Sequence, residues 1–477
     1  MKTLGFMTCC AVLLAGCSFT TASGLTECES SSDCDTNQVC SSSGFCLPQP
    51  EGCGERVGDP AGNPIVLGAA LALTNSDGRD ESEVQALNAI KLALGEINDR
   101  EGVAGRRFNL LICDTRSDPN RAKLQAEWLV KERGVPAIFS SGSGQTISIS
   151  SITIPNNVLL ISHTATSPDI ANLSDKTTAS GDVGLVWRTA PSDRLQGRII
   201  GDLVRNARPL QNGDRPFATT STVSLVYVDD AYGQGLFNTI LTRLGTDRVT
   251  SSASYLRNGD VAAAVNRIVD GAPNVAVMAG FSEDNAKIIS QVGTRGRTAQ
   301  TYFFTDASKE AGLFTALGAQ KNLIEGAYGT APAQSRPGDT VYLTFRERFR
   351  TSNNNTDPGQ FSFTAHAYDS MYLVALGAAY AAGADVNAPQ PITGDRIAQG
   401  LSKVTPPAGT PASTFSLGFA QFTDARNEIR TGKFINVQGA SGPLDFDATG
   451  EASSEYELFR VEGGAFKFIE FISPPST

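Results

Sequence analysis

The sequence predicts an α/β protein built from two successive parallel-sheet blocks with a ligand cleft between them, preceded by a small cysteine-rich module. Three observations carry this reading. Short apolar runs such as Ile65–Leu73, Ala137–Phe139 and Val158–Ile161 read as buried parallel strands. Between such runs lie segments with apolar residues at helical spacing, of which Val84, Leu87, Ile90, Leu94 and Ile97 are the clearest. The same alternation restarts at Thr222–Val228, so a second block follows the first.

The chain has 477 residues, room for two or three domains. Its net charge of −10 and the absence of a basic run argue against a nucleic-acid partner. Only two histidines occur, His163 and His366, which leaves little material for histidine-based metal sites or triads. No cofactor motif is present, and none is expected.

The N-terminus reads as a processing segment. Lys2 supplies a charge, Leu4–Leu14 a short apolar core, and Leu14-Ala15-Gly16-Cys17 follows. The run is too short to span a bilayer. Leu-Ala-Gly-Cys resembles the lipobox of bacterial lipoproteins. That resemblance implies a signal peptide over 1–16, cleavage before Cys17 and a diacylglyceryl thioether on its sulfur. The protein would then sit in the bacterial cell envelope, on the periplasmic or cell-surface face, held to the membrane by lipid alone. A plain signal peptide or a buried N-terminal helix is the alternative.

Six cysteines follow: Cys28, Cys34, Cys40, Cys46, Cys53 and Cys113. The first four are six residues apart in a stretch rich in Ser, Asp and Asn, which cannot bury a core and needs disulfides to hold shape. Two bridges within 28–46 leave Cys53 and Cys113 as a third pair; the connectivity stays open. Metal binding is the rival reading, but no Cys-x-x-Cys pair and no histidine supports it. Residues 17–62 are read as a lipid-anchored module with a linker.

In the main body, Glu83–Asn98 is a helix, Phe108–Cys113 a strand, Asn120–Glu132 a helix and Ala137–Phe139 a strand. Thr146–Ile154 has strand-like Ile-Ser alternation, but a parallel sheet needs a crossover before Val158–Ile161, so a helix is expected. Strand Val186–Thr189 and helix Asp193–Arg205 come next. The second block runs through helix Gly235–Leu244, strand Ser252–Tyr255, helix Val261–Val269, strand Val275–Met278, helix Asp284–Val292 and strand Thr301–Thr305. Helices near 340–350, 363–382 and 395–402 follow, and Tyr456–Arg460 with Ala465–Phe471 reads as a hairpin.

Six segments in order resemble the leucine/isoleucine/valine (branched-chain amino acid) type of periplasmic solute-binding protein. They are Ile97-Asn98 with Glu101–Arg106; Asp114 with Asp118-Pro119; Ile161-Ser162 through Ala165-Thr166-Ser167-Pro168; Arg188 with Ser192-Asp193 and Gln196-Gly197; Asp229 with Tyr232-Gly233 and Gly235; and Gly442–Asp447 with Gly450. The resemblance spans about 63 to 470. It implies the type I periplasmic-binding fold: a two-lobed clamshell joined by three hinge strands. Lobe 1 would be 63–190 plus 332–453, and lobe 2 would be 191–331 plus 454–472. It further implies a small-molecule ligand, an amino acid or amide-like solute, delivered to an ABC permease or sensed by a signalling partner.

The resemblance also implies site residues. Ser143, Thr164, Ala165 and Thr166 would hold a ligand carboxylate through hydroxyls and main-chain N–H groups, which bind an anion without a countercharge. Ser140 and Ser141 are the alternative matches for Ser143, and Thr166 has a turn role before Pro168 as its alternative. Tyr232 would close over the ligand, or else be a surface tyrosine at a helix start. Phe281 would pack on the ligand, or simply on the core. Asp306 would pair with the ligand ammonium, or else cap the next helix. His163 lines the loop and is not read as catalytic.

The loop Thr74–Arg79 departs from the family pattern, lacking its Ser-Gly-Pro turn and aromatic residue, so branched-chain specificity does not carry over. Gly142 stands where the family has a lobe-1 disulfide cysteine. Catalytic motifs are absent, and Ser143 with His163 has no third group, so an enzyme is not expected. Two rivals to transport remain: a ligand-sensing receptor, and a surface protein that has lost its ligand.

Overall fold

The structure, a computed structural model, describes residues 26–30, 33–35, 38–40, 44–59, 61–75, 78–205, 208–296, 299, 301–334 and 338–473. The signal segment and Cys17 lie outside the described residues. The chain divides into two compact units between Gln49 and Pro50.

The first unit holds a hairpin of β1 (Gln38–Cys40) and β2 (Cys46–Pro48). Cys28 pairs with Cys40 and Cys34 with Cys46. Among its described residues only Val39 and Cys46 are buried apolar side chains, so the bridges stand in for a core. The sulfurs of Cys28, Cys34 and Cys46 cluster within 4.8 Å, but each is in a disulfide and offers no thiolate to a metal.

The second unit begins with a strand where the sequence suggests a linker. Cys53–Gly58, read above as linker within 17–62, is strand β3. It pairs antiparallel with a later strand, and Cys53 faces its disulfide partner Cys113 across that pair. Then come β4 (Ile65–Leu71), a short ribbon of β5 (Thr74–Asn75) and β6 (Gly78–Arg79), α1 (Glu81–Asp99), β7 (Phe108–Asp114), α2 (Pro119–Lys131), β8 (Ala137–Ser140), α3 (Ser143–Thr153), β9 (Leu159–Ser162) and β10 (Val186–Arg188). The first sheet has the order β10-β9-β8-β4-β7-β3, parallel except at β3. Residues 143–153 are helical as the crossover argument requires, and the helix starts at Ser143, so the loop after β8 is only Ser141-Gly142.

The second block contains α4 (Asp193–Val204), β11 (Val223–Val228), α5 (Ala231–Leu244), β12 (Val249–Tyr255), α6 (Ala262–Gly271), β13 (Val275–Ala279), α7 (Ser282–Thr294), β14 (Thr301–Phe304), α8 (Ala311–Leu317) and β15 (Tyr328–Pro332). The chain then returns to the first core with α9 (Thr340–Ser352), α10 (Thr364–Ala382), α11 (Gly394–Leu401), β16 (Ser413–Ser416), α12 (Phe422–Ile429), β17 (Ile435–Gly439) and β18 (Gly442–Pro443), and ends in the hairpin β19 (Tyr456–Glu462) and β20 (Ala465–Ile472). The second sheet has the order β12-β11-β13-β14-β15-β19-β20, its first five strands parallel.

Two apolar cores result. One gathers Ile65 to Trp187 and Tyr342 to Ala452; the other gathers Ile199 to Ala331 and Tyr456 to Ile472. The chain therefore crosses between them three times, at 188–198, 332–341 and 453–455. The crossings are tied together: Arg188 pairs with Glu451, Pro332 pairs with Tyr456 in the sheet, and the Tyr456 hydroxyl donates to the Ser192 carbonyl at 3.0 Å. In the first core, α10 is buried along its length except at Tyr380, and α1 packs on it. Glu96 of α1 accepts 2.6 Å hydrogen bonds from Tyr368 and Tyr372 of α10 and pairs with Arg348, which satisfies a carboxylate placed inside a core.

Candidate ligand-binding cleft

In both sheets the first strand of the block (β4, β11) lies inside the sheet, with the next strand on one side and the third (β8, β13) on the other. Loops leaving the carboxyl ends of the first and third strands diverge there and open a crevice. The two crevices face one cavity of about 320 Å³. Ala72, Ser141 and Gly142 line it from the first sheet, and Val228, Asp230 and Phe281 from the second.

On the first wall, Gly142 precedes α3 at φ +70°, a conformation that favours glycine. No side chain caps this helix, so the N–H groups of its first turn are open to the cavity. The Gly142 N–H is taken by Thr164 Oγ1 at 2.9 Å, and Ser141 Oγ accepts from the Ala72 N–H at 2.8 Å. Ser143 is 3% exposed and lines the cavity while its Oγ accepts from the Ser167 N–H at 3.1 Å. Ser143 and Thr164 thus stand together at the mouth of an uncapped helix, a suitable seat for a carboxylate.

Ala165 and Thr166 are placed differently. Both are buried, and neither is among the residues that line the cavity. The Ala165 N–H donates to Ser162 Oγ at 3.1 Å, and the Thr166 hydroxyl donates to Asp193 Oδ2 at 2.9 Å. Arg188, 1% exposed, donates to the carbonyls of Ala165 and Ser167 at 3.1 and 2.8 Å. These residues fasten the loop to the first crossing. His163 is also buried, with Nε2 3.3 Å from Glu83 Oε2, and it shares no hydrogen bond with Ser143 among the described residues.

On the second wall, Tyr232 is in the first turn of α5 and 5% exposed, so it is not a surface tyrosine. Its hydroxyl donates to Asp306 Oδ1 at 2.9 Å and lies 2.8 Å from Thr305 Oγ1. Asp306 begins a 3₁₀ turn just beyond β14, 3% exposed, and caps no α-helix. Burial pushes its carboxyl up to about 6. Asp193, buried behind it, is raised well above the usual range by burial and by the Asp306 charge. The Phe281 ring lies 5.8 Å from that of Tyr232. Five of the seven expected site residues, Ser143, Thr164, Tyr232, Phe281 and Asp306, therefore share one cavity.

Sequence reasoning missed most of the charged remainder of the wall, including Asp80, Glu83, Asp230, Arg257, Lys309 and Glu310. Asp80 caps α1 through the Glu83 N–H, and burial followed by the Glu83 charge pushes it up to about 7. Glu310 accepts from the Ser282 hydroxyl, and burial followed by the Asp80 charge pushes it up to about 8. Among its described residues the ribbon after β4 does not line the cavity; it reaches the second block through Asn75 Nδ2, 3.3 Å from Glu283 Oε1. The only signal for Asp80 was its place at the end of an unusual loop.

The family model described as "Periplasmic binding protein" matches residues 64–465. The chain belongs to this family. A chemotactic signal transduction system substrate-binding protein of Halobacterium salinarum is 25% identical over 86% of this chain and 90% of its own length. A Leu/Ile/Val-binding protein homologue of Brucella abortus is 22% identical over 70% of this chain and 82% of its own. In fold, this periplasmic binding protein matches a leucine-binding protein from Thermotoga maritima (TM-score 0.66, 18% identity, 86% of this chain and 99% of that one). It also matches a branched-chain amino acid transporter substrate-binding protein from Streptococcus pneumoniae (TM-score 0.64, 18% identity, 86% and 100%). Members of the periplasmic binding protein family are extracytoplasmic solute-binding proteins and not enzymes. Among the described residues no helix is long and apolar enough to cross a membrane.

Proposed function

We propose that this chain is a lipid-anchored extracytoplasmic receptor for a free amino acid, closing two lobes (63–190 with 332–453, and 191–331 with 454–472) on it and presenting it to an ABC permease. The observation that carries the reading is the polarity of the cavity. An uncapped helix N-terminus with Ser143 and Thr164 stands on one wall, and Asp306 with Tyr232 on the other. A zwitterion carries one charge for each: a carboxylate for the helix N–H groups and an ammonium for the buried carboxylate. Thermal-shift screening against the amino acids tests this, since a ligand bound by the folded state alone raises stability as RT ln(1 + [L]/Kd). The expected result is a clear rise with at least one amino acid; no rise with any amino acid or amide defeats the reading and favours a protein that has lost its ligand.

The anchor has its own test. Cys17→Ser should release the protein from the membrane fraction. A second reading, delivery of the ligand to a signalling partner, is favoured by the chemotaxis-system relative. Permease and ATPase genes beside this one would support uptake; a chemoreceptor or kinase gene would support sensing.

A further inference from the structure

The cavity contains a cation held by one aromatic face and one long ion pair. Arg257 lies in the loop between β12 and α6 and lines the cavity. Its guanidinium sits 3.6 Å from the centroid of the Phe281 ring. Its Nη2 is 3.8 Å from Asp80 Oδ2, beyond hydrogen-bond reach, and its side chain is 19% exposed. Among the described residues this side chain donates no hydrogen bond, although a guanidinium offers five donors. Its neighbour Leu256 is 66% exposed, so little apolar packing fixes the loop there.

Around that guanidinium stand Asp80 from the first block, and Asp230, Asp284 and Glu310 from the second. Asp80 and Glu310 repel one another, and burial holds both toward their neutral forms, so the set is short of positive charge. An aromatic face beside carboxylates is a seat for an ammonium or guanidinium. That seat lies in the same cavity as Ser143 and Asp306, where the two ends of an amino acid would be held.

We propose that Arg257 occupies the place of the solute's own cationic end, so that the cleft takes a basic amino acid, one with a distal ammonium or guanidinium, and the bound solute displaces Arg257 from the Phe281 ring and Asp80. The inference rests on the reading of the cleft as an amino acid site. The displaced arginine moves to solvent, and the carboxylates that it faced then serve the solute. Arg257 is a competitor in this scheme, and Phe281, Asp80 and Glu310 are the specificity-determining residues.

Isothermal titration calorimetry of the full chain with L-lysine, L-arginine, L-leucine and L-isoleucine at pH 7.5 tests this. L-lysine or L-arginine should bind at least about tenfold tighter than L-leucine, the scale of one desolvated cation–π contact. Arg257→Ala should tighten binding of the basic amino acid by up to about tenfold, while Asp80→Asn and Phe281→Leu weaken it by a similar factor. Arg257→Gln repeats the first measurement with less change in size. Tight L-leucine binding without L-lysine or L-arginine binding overturns this proposal and leaves the amino acid reading standing. Weaker binding of basic amino acids by both Arg257 variants overturns it as well, because Arg257 would then be a ligand contact. Binding of none of the four overturns it, and failure with every other amino acid and amide overturns the amino acid reading too.

Discussion

Thr166 and Asp193 bind each other twice: the Thr166 hydroxyl donates to Asp193 Oδ2 at 2.9 Å, and the Asp193 N–H donates to the Thr166 carbonyl at 2.8 Å. The pair joins the loop after β9 to the first turn of α4, where the chain first crosses between cores. Asp193 Oδ1 already lacks a partner. Thr166→Val keeps the shape and removes the hydroxyl, leaving a second unsatisfied oxygen. The expected cost is about 1–3 kcal/mol of stability in a urea titration, with ligand affinity changed less than about threefold. A tenfold loss of affinity at unchanged stability would return Thr166 to the cleft.

The same loop shows what sequence can and cannot tell. Strands such as β4, β8 and β9 are uninterrupted buried apolar runs, and their crossovers had to be helical, so even the Ile-Ser alternation of α3 was readable. Strand β3 was not readable, because an edge strand with mostly exposed residues carries no apolar pattern. The short strands β16–β18 and helices α8 and α12 were missed for the same want of pattern. In the site, a motif shows which loop reaches the cleft but not which side chains turn into it. Thr164 faces the cavity, and Thr166, two residues on, turns to the crossing. Arg257 belongs to no motif; only the folded chain brings it to Phe281.

Asp306 should act as the seat of the ligand ammonium. Asp306→Asn preserves size and the Tyr232 contact but removes the charge. It should weaken amino acid binding by about thirtyfold or more, about 2 kcal/mol for one partner of a buried charge pair. Because the unliganded carboxyl titrates near 6, the wild-type affinity should fall as pH drops from 7.5 to 5, when the ligand must first expel a proton. Asp193, Tyr232 and Gln196 face this carboxyl and remain in the variant. Calorimetry at three pH values checks it; an equal pH dependence in Asp306→Asn would assign the proton elsewhere.

The Cys53–Cys113 bridge pins edge strand β3 to β7 across 60 residues of sequence. Closing a loop of that length in the unfolded chain is worth about 4 kcal/mol in the chain-entropy model. The double variant Cys53→Ser/Cys113→Ser should therefore lose about 2–4 kcal/mol. Because neither residue lines the cavity, ligand affinity at 25 °C should stay within about threefold once the protein is folded. Melting and calorimetry on the same sample separate the two effects, and a melting temperature unchanged by the double substitution would show that β3 holds without its bridge.

Glu310 gives a pH signature of opposite sign to that of an ordinary salt-bridged acid. Its folded-state carboxyl titrates near 8 instead of 4.5, first because it is buried and then because Asp80 stands opposite; Glu283 adds to the shift, while Ser282 and Arg257 oppose it. A raised carboxyl favours the protonated folded state. Its contribution is fully present below the unfolded value and is lost as pH rises through about 8. Glu310→Gln keeps a neutral side chain at every pH. The variant should melt close to wild type at pH 5 and above it at pH 8, with the gap opening across that interval. Parallel melting curves from pH 5 to pH 8 would mean that Glu310 stays ionised in the folded protein and that Arg257 alone satisfies it.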